Sequence, residues 1–172
     1  MPDVYPCEHV NPTNEFKHGL AEMLPRLRRL ARSLTGHAAD ADDLVQVALE
    51  RALARADQWR PDARLDAWVF AIVRNAWLDE LRSRTRRSHV FAPEEAGEHV
   101  GEMALERQAD AMSVQAAMAQ LSGEQREVVA LVLVEGMSYR ETADVLGLPI
   151  GTVTSRLARA RTTLQALLGE ST

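Results

Sequence analysis

The stretch from Ser138 to Leu157 constrains this chain more than any other. Its order, Ser-Tyr-Arg-Glu-Thr-Ala-Asp-Val-Leu-Gly-Leu-Pro-Ile-Gly-Thr-Val-Thr-Ser-Arg-Leu, reads as a helix, a three-residue turn and a second helix. Ala143 is small where two helices must approach closely, and Gly147 stands where the chain must turn. Val145, Leu146, Leu148, Val153 and Leu157 supply the apolar wedge between them. Pro149 suits a helix start, where its missing N–H costs nothing. This is the helix-turn-helix pattern, whose second helix is shaped to enter a DNA major groove. An ordinary helical hairpin would use the same Gly-Leu-Pro turn, so the surface of the second helix has to decide.

At about 100° per residue, Val153, Leu157, Ala160 and Leu164 share the face that turns to the core. The opposite face carries Ser155, Ala158, Arg159 and Thr162. Small side chains there allow the backbone close to base edges. Arg159 is the residue type that bridges guanine O6 and N7, worth about 1–3 kcal/mol of discrimination. Arg156 and Arg161 flank that face and suit phosphates. Ile150 to Leu168 contains three arginines and no acid, a locally basic helix.

A formal net charge of −5 looks wrong for a nucleic-acid binder until it is located. Ala92 to Met112 holds six acids against Arg107 alone, which accounts for all of it. The regions on either side are free to carry basic patches around an acidic middle. With 172 residues, 46% apolar and few aromatics, a chain dominated by Ala, Leu, Arg and Glu is expected to be all-α. No apolar run approaches the roughly 18–20 residues needed to cross a bilayer, and the first eighteen residues do not read as a signal peptide, so a cytoplasmic protein is expected. The single cysteine, Cys7, excludes an internal disulfide; with His9 it makes a poor metal pair, and no metal or cofactor is expected. There is no Gly-rich phosphate loop or nucleophile elbow.

In chain order, residues 1–13 read as a disordered lead. Phe16, Leu20, Met23 and Leu24, then Leu27, Leu30, Ala31 and Leu34, form a helical pattern in which Pro25 either kinks one helix or begins a second. Gly36 suits the left-handed residue that closes a helix. The next helix opens at Ala38-Ala39-Asp40-Ala41-Asp42-Asp43, with Asp40 expected at its N-cap. Trp59 to Asp66 reads as a loop. A helix over Leu65 to Arg84 follows, with Leu65, Val69, Ile72 and Ala76 on one face and Phe70, Arg74, Trp77 and Leu81 on another. Such a helix is either buried on both sides or uses one side for something else. Aromatics interleaved with arginines suit single-stranded nucleic acid, where rings accept unstacked bases and arginines track phosphates. Beyond the acidic linker, Met112–Leu121 and Glu124–Glu135 form two amphipathic helices, with a capping box at Ser122 and Gln125 and a closing Gly136.

These pieces together resemble the extracytoplasmic-function (group IV) sigma factors of bacterial RNA polymerase. The similarity runs from about Leu24 to Leu168. Its strongest parts are Asp40-Ala41-Asp42-Asp43-Leu44-Val45-Gln46, Ala67-Trp68-Val69-Phe70-Ala71-Ile72-Val73-Arg74-Asn75, Leu78-Asp79-Glu80-Leu81-Arg82, Leu121 to Val128, and Gly151 to Arg161.

The resemblance implies two small helical domains: residues 14–88 for core polymerase binding and −10 recognition, and 113–172 for −35 recognition, joined by the acidic linker 89–112. It places Asp42, Asp43 and Gln46 against the clamp helices of the polymerase β′ subunit, with the β flap a second polymerase contact. It places Arg60, Arg64, Asp66, Arg74, Asn75, Trp77, Arg82 and Arg84 on the melted −10 strand. Arg140, Thr152, Thr154, Ser155, Arg156, Ala158, Arg159 and Arg161 go to the −35 duplex. Ala158 departs from the bulkier residue some relatives carry, so the −35 sequence does not transfer. An anti-sigma partner and a role in a stress or envelope response are also implied. The rival expectation is a stand-alone helix-turn-helix regulator acting on duplex DNA, which would leave Trp59 to Arg87 as mere core.

Overall fold

The computed structural model describes residues 12–90 and 113–169. Helix α1 (Pro12–Thr35) forms because Phe16, Leu20, Met23, Leu27, Leu30 and Leu34 recur at three- and four-residue spacing, and all of them are buried. Pro25 lies inside this one helix, with its own ring exposed. The expected lead falls outside the described residues, apart from Pro12 and Thr13, which belong to α1. Gly36 ends α1 at φ 78°, in the left-handed region where other residues are strained.

Helix α2 (Ala38–Ala54) begins earlier than the acidic pattern suggested. Extended His37 takes the N-cap position, and its carbonyl accepts from the Ala41 N–H at 3.0 Å. Asp40 is therefore a first-turn residue and not the cap. There it complements the helix dipole and pairs with Arg84 at 3.2 Å. A short 3₁₀ turn (Ala56–Gln58) leads through a loop to α3 (Leu65–Val90), which outlasts the expected Arg84. Asp66 in its first turn accepts from the Ala67 N–H at 2.8 Å. Of the two faces of α3, Val69, Ile72 and Ala76 are buried on one, and Phe70 and Trp77 on the other. Burial on both sides is the outcome, because α1 and α2 pack on this helix and the helix Tyr139–Leu146 of the second unit packs on it as well.

The acidic stretch from 91 to 112 lies outside the described residues. Helix α4 (Val114–Ala119) starts at Ser113, whose hydroxyl accepts from the Ala116 N–H. Helix α5 (Gly123–Val129) starts at the expected capping box of Ser122 and Gln125. It then widens into a π turn over Ala130–Val134, closed by the Glu135 N–H donating to the Ala130 carbonyl at 3.0 Å. Gly136 at φ 70° ends that segment.

Helix α6 (Tyr139–Leu146) opens with a second capping box, Ser138 with Glu141, and closes at left-handed Gly147 (φ 64°). Pro149 stands just before α7 (Ile150–Gly169), and its carbonyl accepts from the Thr152 and Val153 N–H groups. Val153, Leu157 and Ala160 of α7 are fully buried, with Leu164 packed beside them, as their spacing predicted.

The described residues contain helices and turns and no strand. Their buried apolar side chains form one contiguous cluster that passes through both units. Helix α1 lies against α5 and the π turn, and α3 against α6. Leu157→Ala, at a site only 1% exposed, is expected to cost about 2–5 kcal/mol. Ser138→Ala is expected to cost about 1 kcal/mol through the lost cap. Urea unfolding of the two variants checks the ranking.

Candidate nucleic-acid and polymerase interface

On α7, Thr154, Ser155, Ala158, Arg159 and Arg161 are exposed and contiguous by helical spacing. Among the described residues Arg159 and Arg161 make no ion pair, so both guanidinium groups are available to an external anion. The hydroxyls of Thr154 and Ser155 donate to the carbonyls of Ile150 and Thr152, both at 3.0 Å, which keeps these side chains close to the helix and the surface low. Arg156 differs: it is largely covered and pairs with Glu124 at 2.9 Å, because its position on the helix turns it toward α5. Thr152 is half-buried, and Arg140 is exposed in the first turn of α6.

Asp42, Asp43 and Gln46 are all exposed on α2, but they border two different grooves. Asp42 and Gln46 line the groove between α1 and α2, floored by Leu24, Leu49 and Leu53. Asp43 lines the groove between α2 and α3 with Val47 and Arg51. Asp42 lies 3.9 Å from Arg28, and Gln46 donates to Glu50 at 3.2 Å. Leu53 and Val47 are 48% and 39% exposed, so each acidic edge is backed by apolar surface.

The residues expected on a melted strand are not equally placed. Arg60 and Asn75 are exposed. Arg64 donates twice to Asp66, at 3.0 and 2.7 Å, and also pairs with Glu141 of the second unit. Arg26 adds a third donor to Asp66 at 3.2 Å. Arg74 is half-buried and lies 3.5 Å from Glu127, again in the second unit. Arg82 pairs with Asp79, and Arg84 with Glu80 and Asp40.

Trp77 is 8% exposed, with the Arg84 guanidinium 5.7 Å from its ring. It belongs to the buried cluster here, and its place on the −10 strand stays what the resemblance implies. Four residues beyond buried Val73 and seven beyond buried Phe70, it shares their stripe. Two other tryptophans frame the loop instead: Trp59 and Trp68 pack on Phe16 at 5.5 and 5.9 Å between ring centroids.

Sequence reading missed the charged groups at the contact between the units. The Glu135 side chain has no solvent exposure; it accepts from Arg26 at 3.1 Å and from Arg29 at 2.9 and 3.0 Å. Arg126 donates to the terminal carbonyls Met118, Ala119 and Leu121, and to Leu34 at the end of α1. Burial lowers its pKa. Burial raises the Glu127 carboxyl, against the attraction of Arg74. No local signal marks such pairs, since their partners are roughly 50 to 110 positions apart.

Residues 20–87 match the family Sigma-70 region 2, and residues 111–164 match Sigma-70, region 4. The chain is 36% identical to the ECF RNA polymerase sigma factor EcfG of Rhodopseudomonas palustris, over 91% of this chain and 86% of that one. It is 41% identical to SigM of Mycobacterium tuberculosis, over 84% and 72%. Among solved structures, it resembles the sigma factor RpoE from Bartonella quintana in its complex with the anti-sigma factor NepR. There the TM-score is 0.74 at 36% identity, covering 89% of this chain and 96% of that one. It also resembles CnrH in complex with the cytosolic domain of CnrY, with TM-score 0.66 at 29% identity and coverage of 91% and 89%.

Fold and family thus define a two-unit helical transcription initiation factor. The chain belongs to the extracytoplasmic-function RNA polymerase sigma factors, which bind core polymerase and direct it to particular promoters. No helix among the described residues is long and apolar enough to cross a membrane.

Asp66 offers a pH test. Burial pushes its carboxyl up, but the hydrogen bonds from Arg64, the Ala67 N–H and Arg26 outweigh burial and leave its pKa lowered. A lowered folded-state pKa contributes stability that is present above the unfolded value, about 3.9, and is lost as pH falls through the folded value. Asp66→Asn is therefore expected to be less stable at neutral pH and to show a flatter loss of melting temperature below about pH 4. Thermal melts across that range check it.

Proposed function

We propose that the region 4 unit reads the −35 element as duplex through Thr154, Ser155, Ala158 and Arg159, with Arg140, Thr152 and Arg161 around them. The region 2 unit grips the β′ clamp helices through Asp42, Asp43 and Gln46, and holds the melted −10 strand with Arg60, Arg64, Arg74, Asn75 and the arginines from Arg82 on. The β flap is the polymerase contact of region 4. One observation carries the assignment: Arg159 is an exposed guanidinium, without an ion pair among the described residues, set among small side chains on an acid-free helix. A major-groove reader needs that combination.

The protein's work is binding, carried out in the cytoplasm where polymerase and promoter are. Bases captured outside the stack no longer drive reclosure of the duplex, so single-strand binding favours promoter opening. Control by an anti-sigma factor, which we place in a stress or envelope response, is supported as control by the related RpoE structure, a complex with the anti-sigma factor NepR. Arg156 lies beside the reading face and reaches a phosphate only by leaving Glu124.

Run-off transcription with core polymerase on a genomic fragment library is expected to yield new start sites that share a two-part motif. A duplex footprint without polymerase and without new starts would instead support a stand-alone regulator. Arg159→Ala is expected to lose about 1–3 kcal/mol of discrimination at one base pair of the −35 element. Asp43→Ala is expected to weaken polymerase binding and leave promoter choice intact. The assignment of the units fails if Arg159→Ala abolishes polymerase affinity while Asp43→Ala leaves it unchanged.

A further inference from the structure

The loop that carries Arg60 and Arg64 has little of its own to pack on. Residues 60–64 are exposed in succession, between the half-buried Trp59 and Leu65. Their backbone closes one turn, in which the Ala63 N–H donates to the Arg60 carbonyl at 2.9 Å. The position of the loop is therefore inherited from its two ends.

Both ends are seated on one turn of α1. At the first, Trp59 packs on Phe16 with ring centroids 5.5 Å apart and planes tilted by 41°. The Trp59 indole N–H is buried without an acceptor among the described residues, so ring contact and not a hydrogen bond fixes it. At the second, Trp68 meets the same Phe16 edge-on at 5.9 Å. Leu65 crosses Gly19 so closely that a Cβ there would stand 2.6 Å from the Leu65 Cδ2. Phe16, 2% exposed, and Gly19 are one turn apart on a shared helix face. A glycine inside a helix weakens it, so closeness to Leu65 accounts for Gly19 where helix propensity does not. Arg26, about two turns further along α1, holds Asp66 just past the loop at 3.2 Å. The match to Sigma-70 region 2 begins at residue 20, and Phe16 and Gly19 stand just ahead of it.

We infer that Phe16 and Gly19 are positioning residues for capture of the promoter strand. Phe16 seats both tryptophans, Gly19 lets Leu65 close on α1, and together they set where Arg60 and Arg64 are presented. Both act through the loop and not by touching DNA. Recognition needs its groups held to about 0.5 Å, and a packed helix supplies that to a loop that has no packing of its own. This rests on the proposed place of Arg60 and Arg64 on the −10 strand.

The test uses holoenzyme assembled from core polymerase and the full chain, with a forked DNA pool randomised in its duplex −35 segment and in its single-stranded −10 tail. Bound molecules are sequenced. Gly19→Leu puts bulk where Leu65 passes, and leucine favours the helix over glycine. It is expected to blur the base preference of the selected tails and to weaken binding of the tail that wild type selects by about tenfold, the loss of one captured base. Affinity for core polymerase and preference in the duplex segment are expected to stay unchanged, which general loss of folding would not allow. Adding Leu65→Ala to Gly19→Leu reopens the space and is expected to restore the tail preference.

If Gly19→Leu loses helical content by circular dichroism, the same selection is read on Phe16→Leu, which removes the ring contacts and keeps apolar bulk. A folded variant that selects tails as wild type does, while Arg60→Ala loses the preference, overturns the inference. If the folded variant and Arg60→Ala both select as wild type does, the placing of the strand on the loop falls, and the inference with it.

Discussion

The Glu135 carboxylate, wholly removed from water and held between Arg26 and Arg29, is the interaction on which the arrangement of this molecule turns. Transferring an ionised carboxylate out of water costs several kcal/mol, and only good geometry with charged partners offsets that. Glu135 has both, with a two-pronged contact from Arg29 and a further bond from Arg26. Those partners belong to α1 in region 2. The carboxylate can stay buried only while the two units are together, so a side chain of region 4 becomes a condition on the position of region 2.

Around that pin the apolar core is shared. Phe70 and Val73 of α3, Leu34 of α1, and Leu121 and Leu131 of the second unit belong to one buried cluster. Arg26 lies 5.0 Å from the Phe70 ring centroid, so the same residue joins the ionic contact to the apolar one. Arg126 closes an edge of this contact by donating to carbonyls at the ends of α4 and α1, of which Met118 also accepts from the Leu121 N–H. The surfaces left outside are the α7 face and the two grooves that border α2.

Much of this is legible in the chain because it is local. Both capping boxes, the three left-handed glycines at 36, 136 and 147, the helix-turn-helix and the buried stripe of α7 depend on residues within one or two turns of each other. The ambiguity of α3 is local too: two apolar faces are visible in its spacing, and only the packing of α1, α2 and α6 around it accounts for both. The misplacement of Asp40 has the same origin: it has the chemistry of a cap, although His37 precedes the first helical residue.

Short-range pattern in the chain was enough to specify the helices, most of their starts and stops, the basic exposed face of α7 and the family. Periodicity, caps and turn residues act over a few positions, where spacing fixes geometry. Which arginines are free and which are engaged came only from long-range packing. Arg159 and Arg74 have the same side chain, yet one stands in solvent and the other is half-buried against Glu127, 53 positions along the chain. Nothing local distinguishes them, because the availability of a charge depends on which distant carboxylate the fold brings against it.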